Sequence, residues 1–205
     1  MTKKVGLFGG SFNPPHLAHL IIAETVREQE GLDEVWWIPA YTPPHKAVGL
    51  LVEAGHRLAM TRLATVTQPA FVVSEVEIER GGVSFTVDTL QALQTAYPDI
   101  AFSLIIGGDS LRDLGMWHRP EEIVARVPLL VYTRAGVSRG EGPPALVKRA
   151  RFVEAPLLEI SSTDIRARCR TGRSIHYLVP ASVRSYIMAY RLYLEEEEEE
   201  KITIR

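Results

Sequence analysis

Short apolar runs alternate with segments of helical periodicity along nearly the whole chain, and this alternation constrains the fold more than any other feature. Residues 5–8 read as a buried strand, and 17–28 as a helix with Leu17, Leu20, Ile21, Glu24 and Arg27 on its repeat. Further strands are expected at 35–38, 71–74 (extended by 76–78), 102–106, 129–132 and 157–160. Helices are expected at 56–66, 87–96, 120–126, 144–149, 163–170 and 181–190. Pro43, Pro44 and Gly49 set 41–49 as a loop, and Pro98 stops the helix before it. The alternation predicts an α/β fold: a Rossmann-like, doubly wound parallel sheet with helices on both faces, in a single domain over 1–190. Such sheets bind ligands at the carboxyl ends of their strands, beside the topological switch.

With 205 residues, 46% of them hydrophobic, the chain can bury one core of ordinary size. Its formal charge is −2, but six consecutive glutamates at 195–200 outweigh that, leaving a mildly basic body. The balance suits phosphate-bearing ligands and is too small to argue for DNA or RNA. The glutamate run repels itself and reads as a solvated acidic tail over 191–205. One cysteine, Cys169, cannot form an internal disulfide, and no Cys/His spacing resembles a zinc site, so no protein metal site is expected. No apolar stretch reaches the about 18 residues that span a bilayer, and the first residues carry no secretory segment. The expectation is a cytoplasmic protein without membrane or nucleic-acid partners; homo-oligomerisation is left open.

Residues 6–19, reading Gly6-Leu7-Phe8-Gly9-Gly10-Ser11-Phe12-Asn13-Pro14-Pro15-His16-Leu17-Ala18-His19, carry most of the functional information. This is a strand, a glycine turn and a helix start, matching neither a Walker loop nor G-x-G-x-x-G. The physics is similar, however. Gly9 and Gly10 let backbone amides approach an anion, and the free N–H groups of a helix starting near Pro15 or His16 point at the same place. His16 and His19 share one face of that helix's first turn, where imidazoles can donate to non-bridging phosphate oxygens. A phosphate neighbour favours their cationic form and so supplies charge where a phosphoryl transfer state needs it. Taken alone, an H-x-x-H pair also fits surface or capping histidines, or a metal-binding module.

Other segments fit around this one. Lys46, stiffened by Pro43 and Pro44, can pin a phosphate as a point charge. Asp109, after the strand-ending pair Gly107-Gly108, suits ribose hydroxyls or a helix cap, and Trp117 suits a stacked heteroaromatic ring or the core. Residues 160–166 read as a strand end entering a helix; Ser161 or Ser162 fits the N-cap, and the hydroxyls with Arg166 one turn on also make an anion site.

The stretch from Gly10 to His19 resembles the signature of the nucleotidyltransferase superfamily that carries G-x-F-x-P-x-H and H-x-G-H elements, with Ala18 where the family usually has glycine. Ile160-Ser161-Ser162-Thr163-Asp164-Ile165-Arg166 resembles the I-S-S-T-x-I-R element of the same superfamily. Within it, Pro43-Pro44-His45-Lys46, the 84–90 segment, and Gly107-x-Asp109 with Trp117 resemble nicotinate-nucleotide adenylyltransferase, over about residues 4–190.

The resemblance implies transfer of AMP from ATP to nicotinate mononucleotide, giving deamido-NAD and pyrophosphate, with Mg²⁺ carried by the ATP phosphates. It implies catalytic roles for His16, His19 and Arg166. ATP would contact Gly10, Ser11, Phe12, His16, His19, Asp109, Ser162, Thr163 and Arg166. The acceptor would contact Lys46, Thr86, Trp117, His118 and Arg134, with the ring on Trp117 and its carboxylate near Thr86 and His118. The family often has tyrosine at the position of His118. Sibling readings are an adenylyltransferase for nicotinamide mononucleotide or phosphopantetheine; a reading of another class is a non-catalytic nucleotide-binding module.

Overall fold

The computed structural model describes residues 2–44, 51–133, 144–156 and 158–194. Among them one sheet of six parallel strands is found: β1 (Lys3–Gly10), β2 (Glu34–Pro39), β3 (Phe71–Val73), β4 (Ile100–Gly107), β5 (Leu129–Thr133) and β6 (Ala150–Glu154). Their order is β3-β2-β1-β4-β5-β6. The chain starts mid-sheet, steps outward to β3, then returns to the other side of β1 and steps outward again. That reversal opens a crevice between the carboxyl ends of β1 and β4, where Phe8 pairs with Ile105. The expected doubly wound parallel sheet is therefore present.

The helices are α1 (Leu17–Glu30), α2 (Ala54–Thr65), α3 (Val76–Arg80), α4 (Thr86–Ala96), α5 (Gly108–Asp113), α6 (Pro120–Arg126), α7 (Pro144–Val147), α8 (Ser162–Arg170) and α9 (Ala181–Ala189). Alternate strand residues serve opposite faces of the sheet. Val5, Leu7, Leu104 and Ile106 pack with Val87, Leu90 and Leu93 of α4 and Ile123 of α6. Phe8, Trp37, Ile105 and Leu130 pack on the other face with Ala23 and Val26 of α1. Both faces being covered, β1 buries four consecutive residues instead of alternating. A third cluster joins Met60 of α2, Ile165 and Cys169 of α8, Val183 and Ile187 of α9, and Leu192. This cluster fixes α8 relative to α1 and thereby positions the site. It also carries the packed chain past residue 190, the boundary expected for the domain.

Two expectations need correction. Residues 76–78 do not extend β3 but begin α3, where Glu79 N–H donates to the Glu75 carbonyl at 2.8 Å and Gly81 N–H to that of Glu77 at 3.1 Å. The apolar alternation of Val76 and Ile78 imitates a strand, while the helix turns the Glu77 carboxyl inward to Thr89. The last strand is β6 at Ala150–Glu154, whereas residues 158–160 form no regular element and Leu157 lies outside the described residues. As an edge strand paired only to β5, β6 tolerates exposed Arg151 and Glu154, and those charges hide its strand pattern.

Candidate active site

The glycine turn leaves β1 at Gly9 and Gly10 and enters α1 through Phe12, Asn13 and two prolines. Nothing lies within 4 Å of where a Cβ would sit at Gly9, so the space above the strand end is open. His16 is the N-cap of α1, its backbone extended at φ −144°. Its backbone N–H donates to Nδ1 of His19 at 3.2 Å, and the two rings stack with centroids 3.6 Å apart. That bond holds the Nδ1 edge of the His19 ring against the helix cap and leaves Nε2 on the opposite edge. Phe12 braces it edge-on at 5.4 Å. Ala18 is 3% exposed, so its methyl packs inside the protein, away from the open side of the turn.

From the far end of the chain, α8 closes on this turn. Ser161 is the N-cap, its hydroxyl accepting from the Asp164 N–H at 3.1 Å. Ser162 therefore does not cap the helix, and its hydroxyl donates instead to the Pro14 carbonyl at 2.8 Å. Arg166 donates from Nη1 to the Asn13 carbonyl at 2.9 Å and from Nη2 to the Thr163 hydroxyl at 3.2 Å. Its partial burial lowers its proton affinity from the ordinary guanidinium value. His16, His19, Ser162, Thr163 and Arg166 are thus gathered at one rim, together with Gly10, Ser11 and Phe12.

Across the crevice, β4 ends at Gly107. A Cβ there would lie 2.5 Å from Oδ1 of Asp109 and 3.1 Å from the Tyr132 hydroxyl, so only glycine lets these two groups close over the strand end. Asp109 sits exposed in the first turn of α5, accepting from the Ser110 N–H at 2.9 Å. Between the two strand ends lies a pocket of about 110 Å³, bordered by Gly9 and Gly10 on one side and by Thr86 and Trp117 on the other. Trp117 is half-buried, with its body against the core and a face on this pocket. His118 is exposed and its ring lies at 4.5 Å on that of Phe85, the residue before Thr86 at the start of α4. Arg119, in the left-handed region at φ 53°, pairs with Asp88 of α4 and holds the 117–119 segment against that helix. Lys46 and Arg134 lie outside the described residues.

Four residues of the site have no counterpart among the sequence expectations. Arg57, 1% exposed on α2, donates to the carbonyls of Val52 (3.1 Å), Ser11 (3.1 Å), Ala40 and Tyr41 (2.7 Å). Glu77, also buried, borders the pocket and accepts from the Thr89 hydroxyl at 2.6 Å and from Ser84. Burial pushes its carboxyl above the ordinary range, against those hydrogen bonds and the charges of Arg80 and Arg57. Asn13, 1% exposed, receives the Tyr193 hydroxyl on Oδ1 at 3.0 Å. Burial pushes the Tyr193 phenol well up, so it stays a neutral donor. Single arginine, glutamate, asparagine and tyrosine residues carry no spacing signal; only the fold brings them together.

An open glycine turn feeding a histidine-capped helix, clasped by a Ser/Arg helix at the switch point of a parallel sheet, defines a nucleotidyltransferase. The model of the cytidylyltransferase-like family matches residues 7–168. A Salinibacter ruber protein named probable nicotinate-nucleotide adenylyltransferase is 57% identical over 189 residues, covering 92% of this chain and 97% of that one. An Exiguobacterium sibiricum protein of the same name is 47% identical over 190 residues, covering 93% and 98%. The chain belongs to the nicotinate-nucleotide adenylyltransferases within the cytidylyltransferase-like family. The solved structure of Plasmodium falciparum nicotinic acid mononucleotide adenylyltransferase complexed with NaAD has the same fold, with a TM-score of 0.76 at 19% identity over 93% of this chain and 97% of that one.

Proposed function

We infer that this enzyme transfers AMP from ATP to nicotinate mononucleotide, releasing pyrophosphate and forming deamido-NAD. The observation that carries the reading is the meeting of the histidine-bearing turn and the Ser162/Arg166 helix at one rim, with the aromatic-sided pocket beside it. The names of the relatives agree with it.

In this reading the triphosphate lies along the turn. Backbone amides from Gly10 to Phe12, the N-terminus of α1, His16 and His19 face its oxygens, and Ser162, Thr163 and Arg166 face the leaving pyrophosphate. Asp109 accepts from ribose hydroxyls. The nicotinate ring stacks on Trp117, with its carboxylate toward Thr86 and His118 at the start of α4. Lys46 and Arg134 serve the acceptor side as cations.

An oxygen of the acceptor phosphate attacks the α-phosphorus in line, the bond to the β-phosphate breaks, and pyrophosphate departs. That oxygen is already ionised at neutral pH, so no general base is needed. The protein's contribution is positioning and neutralisation of charge. With its Nδ1 edge held by the helix cap, His19 offers Nε2 as a pre-oriented donor as charge builds on the phosphoryl oxygens. Among the described residues no three His, Cys, Asp or Glu side chains converge to hold a metal. In this reading Mg²⁺ is carried by the ATP phosphates, where it would supply charge neutralisation.

In this reading residues 1–190 carry the substrate contacts, Tyr193 just beyond them supports Asn13, and the glutamate run that follows is a tail. Among the described residues no helix is long and apolar enough to cross a membrane, and a cytoplasmic setting fits the substrates. The test is pyrophosphate release from ATP with nicotinate mononucleotide, nicotinamide mononucleotide and phosphopantetheine supplied in turn. Preference for nicotinate mononucleotide supports the reading, and preference for either other acceptor overturns it.

A further inference from the structure

We propose that Arg57 is a positioning residue that couples the ATP side of the site to the acceptor side, an inference that rests on the two-substrate reading above. Its four acceptors are backbone carbonyls from three separate segments. Ser11 belongs to the glycine turn, Ala40 and Tyr41 to the chain leaving β2, and Val52 to the approach to α2. The guanidinium is a rigid planar fork, so it fixes the spacing of these carbonyls in a way that one ammonium nitrogen cannot.

The linkage continues beyond Tyr41. Its N–H donates to the Ser84 hydroxyl at 2.9 Å, and the Ser84 N–H returns to the Thr42 carbonyl at 2.9 Å. Ser84 meets Glu77, which Thr89 holds at 2.6 Å, and Arg80 donates to Thr89 at 3.1 Å. Thr89 lies one turn into α4, whose first residue, Thr86, borders the acceptor pocket. A continuous polar chain thus runs from the triphosphate turn to the pocket wall that Thr86 borders.

Burying a charged fork is expensive, and a need for packing alone is met better by an apolar side chain. A fixed spacing explains its presence. The acceptor oxygen must meet the α-phosphorus in line; Arg57 sets the spacing between the turn assigned to ATP and the chain leaving β2, which Ser84 ties in turn to the acceptor wall.

The test compares wild type with Arg57→Lys, which keeps the charge and loses the fork. Misplacement on the scale of 1 Å lowers kcat by about 10²-fold. We expect that loss per folded molecule, with smaller changes in either KM. In ligand-free protein we expect amide exchange to rise together in residues 9–13 and 39–42. An unchanged kcat per folded molecule, or faster exchange confined to the Val52–Arg57 contact, overturns the proposal. If Arg57→Lys does not fold, Ser84→Ala replaces it. Faster exchange at 39–42 and a raised KM for the acceptor, with that for ATP unchanged, support the proposal; no change in either overturns it. A wild type inactive with this substrate pair sinks the assigned reaction, while the exchange comparison still decides the role of Arg57.

Discussion

Nη1 of Arg166 donates to the carbonyl oxygen of Asn13 at 2.9 Å, across 153 residues of chain. Ser162, one turn earlier on the same helix, donates to the next carbonyl, that of Pro14, at 2.8 Å. These bonds join the two segments to which the proposed function assigns the phosphate contacts. Each segment alone has an ordinary explanation: a histidine-capped helix, or a serine-capped one. Joined at the switch point of the sheet, they surround one volume with amides, imidazoles and a guanidinium.

His16→Ala or His19→Ala should lower kcat by about 10²–10³-fold, the loss typical of one donor aimed at a transition state. His19 also accepts from the His16 N–H, so its removal should cost about 1 kcal/mol of stability as a lost cap. Steady-state kinetics on folded protein separates the two effects. Near-normal turnover in both variants would remove the histidines from the reaction.

Trp117→Ala should weaken binding of nicotinate mononucleotide by about 1–3 kcal/mol, on the scale of base stacking, and leave ATP binding unchanged. Calorimetric titration of each nucleotide checks this. Equal weakening of both would point to a folding defect and away from stacking.

The layered fold was legible because a sheet covered on both faces needs continuous apolar runs, as residues 5–8 supply. The edge strand β6 was not, because one exposed side lets Arg151 and Glu154 interrupt the pattern. That the segments of His16, His19, Ser162 and Arg166 belong together was legible where chemistry and spacing coincide, and the fold does bring them to one rim. The supporting residues were not. Arg57 falls within the helix expected at 56–66, and nothing local says that α2 will turn it toward Ser11 and Ala40. Tyr193 lay beyond the expected domain, yet its hydroxyl reaches Asn13 because Leu192 anchors that segment in the third core cluster.

The buried Glu77 carboxyl gives a pH signature. Its proton affinity is raised in the folded protein above the ordinary value of 4.5. Between those two values the native state holds more protons than the unfolded chain, so this group's contribution is full in acid and is lost as pH rises through the window. Glu77→Gln is neutral throughout and lacks that loss. Unfolding followed as pH rises from about 4.5 should show the variant gaining on wild type. A difference independent of pH would mean that Glu77 ionises normally in the fold.

The most direct measurement follows oxygen. Nicotinate mononucleotide carrying ¹⁸O in its phosphate is mixed with unlabelled ATP and the enzyme, and both products are weighed by mass spectrometry. Attack by the acceptor phosphate on the α-phosphorus retains every labelled oxygen in deamido-NAD and leaves pyrophosphate unlabelled. Label in pyrophosphate, or no dinucleotide of that mass, would contradict the assigned reaction.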